Sequence, residues 1–378
     1  MIKGVMFMRE FAEKAVGAVK LAVIVSAVLF CTFDTAAAAG AVAESVSRCI
    51  NVVIPSLFAM MTVSALIVRS GAFTLMPRWF GHISRFIFGM EGSIFPVFSF
   101  GMCAGYPVGV KMLCDEYSAG RLTKRRAELL AGLCFGAGPA FTFGCISRQL
   151  YSSHRAGTVI LISNIYANII LALVMSFFLR KDSKAVCEVR KLRISSEMLT
   201  DSVLRSGRAM ADICIMITAF SVLNALLVRI GTAAAAGKLL AKLTCLDRES
   251  GEATVAAVLD ITNVSAFPRG DWLLLPYISA LVSFGGICVM LQLSAITAGR
   301  ISLRPFVIMR IIAAVISFWI CRLILPYFME QETVEASVVT VDNNSGGSPV
   351  SSVMLVLMTV MLMWEMGGSS NKKAAEST

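Results

Sequence analysis

The segment FSFGMCAGYPVGVK, residues 98–111, lies within an apolar stretch that is long enough to form a membrane helix. It nevertheless contains Gly101, Gly105 and the helix-breaking Pro107, and it ends on the charged Lys111. An unpaired backbone group in hydrocarbon is strongly unfavourable, so a break at this depth is tolerated only where it is buried in protein or borders an aqueous cavity. The segment therefore predicts either a packing kink or a site where freed backbone amides meet a solute.

The composition of the chain is that of a membrane protein. Of its 378 residues, 57% are hydrophobic and only 15% are charged, and the mean hydropathy is +0.77. A soluble domain is about 45–50% apolar and about 25% charged. We predict an all-α polytopic protein of the cell membrane, with the lipid bilayer as its surroundings. Basic residues of such proteins collect in cytoplasmic loops, so the net charge of +10 does not indicate nucleic acid.

Few residues are suited to catalysis or to metal binding. The eleven cysteines form no C-x-x-C pair and fall mostly inside apolar runs, where cysteine behaves as a small hydrophobic residue. The two histidines, His82 and His154, lie in predicted loops. The sequence contains no H-E-x-x-H, no G-x-S-x-G and no pair of membrane aspartates. We therefore predict no catalytic residue, no metal site and no cofactor, and we do not expect an enzyme.

Apolar spans of near-membrane length recur along the chain. A spanning helix needs about 20 apolar residues, and several of these spans are short or interrupted. They lie at about 49–68, 94–114, 127–147, 156–179, 209–230, 251–267, 272–298 and 305–326. The earlier stretch KLAVIVSAVLFCTFDTAAAAG is compatible with a cleaved signal peptide or with a retained helix from Val16 to Phe33.

Composition divides the chain into five regions. A basic polar stretch separates two apolar halves, and a polar linker followed by a short apolar segment ends the chain. The predicted regions are an N-terminal helix with an Ala-rich lead-in (1–48), a first gate-like repeat (49–179), a basic cytoplasmic loop (180–208), a second gate-like repeat (209–326) and a tail (327–378).

The two halves resemble each other. ALIVRSG at 65–71 returns as ALLVRIG at 225–231, 160 residues later, with five of seven positions identical. Each copy precedes a short amphipathic stretch and then two interrupted apolar segments, which is the pattern of transporter repeats. Chance similarity between apolar sequences is the alternative. If 94–114 and 251–267 are hairpins, the basic loops favour an inverted repeat, although Lys238, Lys242 and Arg248 would then lie outside, against the positive-inside rule.

Three further segments combine helix breaks with polar groups in apolar surroundings. CFGAGPAFTFG contains Gly138 and Pro139, and AAVLDITNVSAF contains Asp260, Thr262 and Asn263. An ionisable group at membrane depth is by default a functional hypothesis; the alternative is an interfacial Asp260 bonded to Arg248 or Arg269. SFGGICVMLQ adds Ser283, Gly285, Gly286 and Gln292. The glycine pair indicates either close approach of a solute or helix packing.

These segments, together with VIPSLFAM, occur in the order typical of YlbJ-like sporulation integral membrane proteins. The chain resembles this family over about residues 16–326, and G-Y-P-x-G-x-K at 105–111 is the most specific signature. The family belongs to the wider group with the nucleoside-recognition or Gate domain, which is shared with concentrative nucleoside transporters. Its members retain the helix before VIPSLF, so we favour retention of the N-terminal helix. The family pattern has Ser and His where this chain has Cys288 and Met290, and often Glu in place of Asp260.

The resemblance implies an inverted-repeat transporter fold with two re-entrant or broken-helix hairpins. It implies movement of a small polar or anionic solute, either a dipicolinate-like aromatic dicarboxylate or a nucleoside-like molecule, across the membrane around the forespore. We expect Lys111 to attract an anion and Tyr106 to stack on a planar ring. The sequence does not specify whether a coupling ion (H⁺ or Na⁺) is used or whether the protein forms a homo-oligomer.

The alternative function is a non-transporting scaffold or signalling component of sporulation. The solute site implied by the resemblance comprises Gly105, Tyr106, Pro107, Lys111, Gly138, Pro139, Asp260, Thr262, Asn263, Ser283, Gly285, Gly286 and Gln292.

Overall fold

The computed structural model describes residues 25–26, 28–71, 78–89, 94–180, 195–244 and 246–329, and this part of the chain contains helices and no strand. The α-helices are α1 (Thr35–Arg48), α2 (Ile54–Ser70), α3 (Arg78–Phe88), α4 (Ile94–Ala104), α5 (Val108–Ser118), α6 (Lys124–Ala131), α7 (Pro139–Phe141), α8 (His154–Arg180), α9 (Ser196–Ile230), α10 (Thr232–Thr244), α11 (Arg248–Leu259), α12 (Leu275–Phe284), α13 (Gly286–Thr297) and α14 (Arg304–Met329). Cys49–Val53 and Thr142–Tyr151 are π-helical, and Ile261–Ala266 and Trp272–Leu274 are 3₁₀-helical.

Several helices are long and apolar enough to cross a bilayer. Four described segments meet this condition, namely His154–Leu179, Ser196–Ile230, Trp272–Thr297 and Arg304–Met329. The pair Thr35–Val53 and Leu57–Ser70, which is bent by 54°, adds a fifth if it forms one span. The prediction of an all-α, multi-pass membrane protein is confirmed at this level.

The repeated heptapeptides adopt the same local structure. Helices α2 and α9 both end at a glycine in the left-handed conformation, Gly71 with φ 76° and Gly231 with φ 79°. Glycine is the usual residue at this position because it has no Cβ to clash with the preceding turn. Each of these two helices is followed by a short helix, two interrupted segments and one long apolar helix. The order of elements is therefore parallel in the two halves.

The opening segment folds back on itself. Helix α4 ends at Ala104, Gly105 adopts φ +82°, and Pro107 precedes the first residue of α5. A Cβ placed on Gly101 would lie 3.2 Å from the Cα of Gly109, so residues on either side of the break are in contact. The predicted break is confirmed, and its form is a hairpin of two short helices rather than a kink within one.

A second break follows directly. Helix α6 begins after Thr123, whose side chain accepts a hydrogen bond from the Arg126 amide, and it ends at Ala131. The chain is then irregular until Pro139, the first residue of α7, which continues as a π-helix. Proline is favoured at this position because the first helical amide has no intrahelical acceptor. The predicted interruption within 127–147 is confirmed.

The breaks of the second half take a different form. Helix α11 ends at Leu259, and the Asp260 carboxylate caps the following 3₁₀ turn. Helix α12 ends at Gly285, and both Gly285 and Gly286 have positive φ. The closely packed helix pair here is α10 with α11, where a Cβ on Gly251 would lie 2.4 Å from the Gly237 carbonyl oxygen. The 251–267 segment is a helix followed by a 3₁₀ turn, and the Asn263 side-chain amide on that turn donates back to the Ala256 carbonyl at 3.3 Å; the hairpin that we predicted for this segment stays a prediction.

Loop contacts define two opposite ends of the bundle. At one end, the Ser302 amide donates to the Glu128 carboxylate (2.8 Å), next to the start of α14. At the other, Arg155 donates to the Phe328 carbonyl (3.5 Å) near the end of α14. The first end also holds the pairs Arg121–Val68, Arg300–Ser118 and Arg69–Asp201. The loops that we predicted as cytoplasmic thus meet at one end, and its cytoplasmic location remains a prediction.

Two predicted boundaries differ from the structure or lie outside it. Helix α9 begins at Ser196, so residues 196–208 are helical, whereas we predicted a loop over 180–208. The Ser195 hydroxyl caps this helix by accepting from the Met198 amide at 3.2 Å. With 35 residues, α9 is about 52 Å long, which exceeds the hydrocarbon core of about 30 Å. Most of the predicted helix 16–33 and the tail after 329 lie outside the described residues.

Candidate functional site

A cavity of about 320 Å³ lies where the helix breaks of the two halves meet. Its volume is at the lower end of the about 300–1,000 Å³ typical of small-molecule pockets. Residues from both halves line it, together with the end of α1 and one face of α9. Six of the predicted site residues are in the lining: Gly105, Tyr106, Gly138, Asp260, Thr262 and Gln292. The structure brings these residues together; their role in binding a solute remains a prediction.

Asp260 is the buried acid of the cavity, with 2% of its surface exposed. One carboxylate oxygen accepts from the Thr262 amide (3.0 Å), and the other accepts from the Thr262 hydroxyl (2.9 Å). These hydrogen bonds form because α11 ends at Leu259 and the Asp260 carboxylate caps the 3₁₀ turn that starts there. Neither Arg248 nor Arg269 bonds this carboxylate; Arg248 instead pairs with Glu252 at 2.9 Å.

The basic partner of the cavity is Arg48, the last residue of α1, which the sequence analysis missed. Its guanidinium donates to the Thr262 hydroxyl (2.9 Å), to the Asn263 side-chain oxygen (3.3 Å) and to the Glu44 carboxylate (2.8 Å). Arg48 and Asp260 therefore contact the same hydroxyl group. The only signal in the sequence was an arginine one turn before an apolar run, which is also typical of a residue at a membrane interface.

The two breaks of the first half touch each other beside the cavity. A Cβ on Gly105 would lie 2.9 Å from the Gly138 amide nitrogen, and a Cβ on Gly138 would lie 2.8 Å from the Cys103 carbonyl oxygen. Distances below 3.0 Å are shorter than real Cβ atoms adopt, so the two backbones approach each other only because both residues lack a side chain. This contact places backbone, rather than side chains, at this wall of the cavity.

Tyr106 lines the cavity but already has partners for its ring and its hydroxyl. The ring stacks on Phe135, with centroids 4.6 Å apart and an angle of 28° between the planes. The hydroxyl donates to the Val282 carbonyl at 3.2 Å. The expectation that Tyr106 stacks on a solute is therefore limited to whatever part of the ring Phe135 leaves uncovered.

The other predicted site residues do not line the cavity: Pro107, Lys111, Pro139, Asn263, Ser283, Gly285 and Gly286. Lys111 lies on the first turn of α5 and pairs with Asp115 at 3.5 Å, with 12% of its side chain exposed. The structure does not bring it to the cavity, so the expected attraction of an anion has no support from its position. Asn263 contacts the site indirectly, through Arg48.

Gly285 and Gly286 serve close packing. A Cβ on Gly285 would lie 2.6 Å from the Phe135 ring, and one on Gly286 would lie 3.1 Å from the Ile261 amide nitrogen. Both glycines also have positive φ, which disfavours any other residue. Of the two interpretations of this pair, helix packing is the one that the geometry supports.

Arg310 on α14 is the second residue that the sequence analysis missed. Its side chain is fully buried, and its guanidinium donates to the carbonyls of Phe135 (3.2 Å) and Ser283 (3.3 Å), to the Gly132 carbonyl and to the Asn168 side-chain oxygen (2.6 Å). The Asn168 amide also donates to the Phe135 carbonyl (3.2 Å). These side chains satisfy carbonyls that two broken segments leave without helical partners. An arginine inside the 305–326 span was the available signal.

The remaining polar lining residues are Cys145, Gln149, Ser265 and Gln292. The Gln292 amide donates to the Cys288 sulfur (3.3 Å), and Cys145 lies 3.8 Å from the Gln149 side-chain oxygen. Within the described part of the chain, no three His, Cys, Asp or Glu side chains are grouped so that they could hold a metal ion. The cavity can therefore offer the carboxylates of Glu44 and Asp260, one guanidinium, hydroxyls, amides and a backbone wall to a polar solute.

Comparison with known proteins found no matching family model, no matching curated protein and no matching solved structure. The class that the fold itself defines is an all-α membrane protein with broken helices around a cavity that a buried carboxylate borders.

Proposed function

We propose that the protein is a membrane transporter for a small polar solute, which binds in the cavity between the two halves. The single observation that carries this proposal is the position of Asp260, a buried carboxylate that borders a cavity built from helix breaks of both halves. Broken helices that meet at a midplane site are typical of secondary transporters. The proposal includes an inverted relation between the halves, movement of one half against the other, and a place in spore formation.

The charges of the lining indicate which solutes fit best. The acidic and basic lining residues are Glu44, Arg48 and Asp260. A solute with a hydrogen-bond donor can pair with Asp260, and an acceptor or a single anionic group can pair with Arg48. A nucleoside-like molecule offers both kinds of group. A fully ionised dicarboxylate offers no donor and brings negative charge towards Asp260, so its singly protonated form is the better match.

The experiment is solute flux through purified full-length protein in liposomes, screened across nucleosides and small aromatic dicarboxylates. We expect flux of at least one solute that carries both donors and acceptors. Asp260→Asn keeps the size of the side chain but removes its charge, and a charge-assisted hydrogen bond contributes about 1.5–3 kcal/mol. We therefore expect this variant to lower flux about tenfold or more at sub-saturating solute.

The control is Glu249→Gln, which removes an exposed carboxylate from the first turn of the same helix. Its flux should match that of the unchanged protein. Lys111→Ala should have a smaller effect than Asp260→Asn, because Lys111 does not line the cavity. Equal flux in all variants would remove the site assignment. A complete absence of flux, with a phenotype that follows exchange of loop 180–208, would favour the scaffold function instead.

A further inference from the structure

A second, more polar cleft adjoins the solute cavity. It has a volume of about 440 Å³ and lies at the end of the π-helix that follows α7. Its lining includes Arg148 and Ser152 from the first half and Arg269 and Gly270 from the second. Gln149 lines both the cleft and the cavity, so the two spaces share a wall.

The walls of the cleft are held together by contacts between the halves. The Gly270 amide donates to the Leu150 carbonyl at 2.9 Å, and the Tyr151 hydroxyl donates to the Asp271 carbonyl at 2.8 Å. The Tyr151 ring also packs on Trp272, with centroids 5.1 Å apart. One arginine is attached to each side of this junction, so the junction fixes the backbone positions from which both side chains extend.

The charge of the cleft is not balanced by its surroundings. Both Arg148 and Arg269 are exposed, and neither makes a side-chain hydrogen bond or an ion pair with any residue that the structure describes. No acid lines the cleft. The nearest acid along the chain is Asp271, and one of its carboxylate oxygens accepts from the Leu273 amide at 2.9 Å. The two arginines are therefore available to a ligand.

The location of the arginines makes them harder to explain as ordinary loop charges. They lie at the bundle end marked by the Arg155–Phe328 contact, opposite the end that holds the basic loops around Arg121 and Arg300. If those basic loops are cytoplasmic, the cleft lies on the far side of the membrane, where arginine is disfavoured in short loops. Unpaired arginines at that end, one from each half, point to a ligand-binding role.

We propose that this cleft is an outer anion-binding subsite, which takes a carboxylate or phosphate group of a solute before the solute reaches the cavity. Arginine suits this role because its planar guanidinium forms paired hydrogen bonds with such groups. A cleft with one sign of charge also raises the local concentration of the opposite charge. Passage to the cavity rests on the proposed transport function, whereas anion binding in the cleft does not. The solute would then carry one anionic group for the arginines and at least one donor for Asp260.

The test is equilibrium binding of two probes, inorganic phosphate and pyridine-2,6-dicarboxylate, to full-length protein in an uncharged detergent at low salt. Calorimetric titration should show binding of at least one probe, with affinity that falls as salt is added, because exposed charges are screened. Arg148→Gln and Arg269→Gln should each weaken binding about tenfold, as expected for loss of one charge-assisted contact. The double variant should show no measurable binding.

The matched control is Arg248→Gln, which removes another exposed arginine outside the cleft, one that pairs with Glu252. It should bind both probes as the unchanged protein does. Absence of binding in the unchanged protein, or equal binding in all variants, would overturn the subsite.

The same variants are compared in nanodiscs with and without anionic lipid. Arginine-dependent enrichment of anionic lipid without binding of either probe would assign the cleft to headgroups and also overturn the proposal. Arginine-dependent probe binding without flux of any solute would leave the subsite in place and refute transport.

Discussion

Two kinds of helix break occur in this molecule, and they differ in what meets the freed backbone groups. The cavity breaks are the Gly105–Pro107 turn with Gly138, and the end of α11 at Asp260; both border open space. The clamped breaks are residues 132–136 and the end of α12 at residues 283–285, whose carbonyls accept hydrogen bonds from Arg310. The apolar sequences around the two kinds look alike. A break in a membrane helix is therefore not by itself a sign of a solute site.

The difference follows from where the polar side chains come from. Arg310 and Asn168 extend from long, continuous helices and satisfy the clamped breaks from outside them. At the cavity breaks, Asp260 is part of the break itself, and Arg48 extends from α1 and donates to Thr262 in the same break. Tyr106 connects the two kinds, because its ring lines the cavity while its hydroxyl bonds the Val282 carbonyl. One kind of break holds the halves together, and the other leaves space between them.

The largest effect is expected from Arg310→Met. This variant keeps an apolar stem but removes the guanidinium donor from the Gly132 and Ser283 carbonyls and from the Asn168 side-chain oxygen, whereas the Phe135 carbonyl still accepts from the Asn168 amide. Each buried acceptor that is left without a donor costs about 1–3 kcal/mol. We expect a strong fall in the thermal midpoint and in the yield of monodisperse protein in detergent, and partial recovery in Arg310→Lys.

The matched control for this prediction is Arg322→Met, three turns further along the same helix, where the side chain is exposed. It should change the midpoint by far less. Equal thermal midpoints for the two methionine variants would show that the Arg310 hydrogen bonds do not stabilise the protein. The distinction between the two kinds of break would then be lost.

A smaller effect is expected from Gly138→Ala at the cavity break. Its Cβ would meet the Cys103 carbonyl oxygen and the Gly105 amide nitrogen, both at 2.8 Å, and backbone cannot move aside as a side chain end can. Overpacking of this kind destabilises by about 1–3 kcal/mol. We expect a lower thermal midpoint and, in the flux assay, a changed apparent affinity for the solute.

Gly144→Ala, six residues along the chain, provides the comparison. A Cβ there meets nothing within 4 Å, and the residue is helical. The variant should be neutral or up to about 1 kcal/mol more stable, because alanine loses less backbone entropy on folding than glycine. Equal midpoints for Gly138→Ala and Gly144→Ala would contradict the close approach of the two backbones.

The smallest effect is expected from Tyr106→Phe. The variant keeps the ring stacked on Phe135 and loses only the hydrogen bond to Val282, which contributes about 0.5–1.5 kcal/mol. The thermal midpoint should fall slightly. Asp260→Asn should still lower flux when it is introduced into this variant. Tyr106→Ala, which also removes the stacked ring, should have a clearly lower thermal midpoint. Similar midpoints for the two variants would show that stacking on Phe135 does not stabilise the contact between the two kinds of break.

Much of the local structure was predictable from the sequence. Glycine and proline change the backbone where they stand, so the interruptions near Gly105, Gly138 and Gly285 followed from residue types alone. The same holds for the membrane class, which follows from composition, and for Asp260, which is conspicuous in an apolar segment. The extent of α9 was missed, because the polar residues before 209 belong to the part of the helix that exceeds the bilayer thickness.

The sequence by itself determined the class of protein, the places where helices break and the polar residues near them, because each of these depends on neighbours along the chain. Only the tertiary structure decided which breaks face a cavity and which are clamped. Arg310 bonds carbonyls up to 178 residues away, and Arg48 bonds Thr262 across 214 residues. A hydrogen bond requires its donor and acceptor to meet within about 3 Å in space, and no pattern along the chain specifies which distant residues will do so.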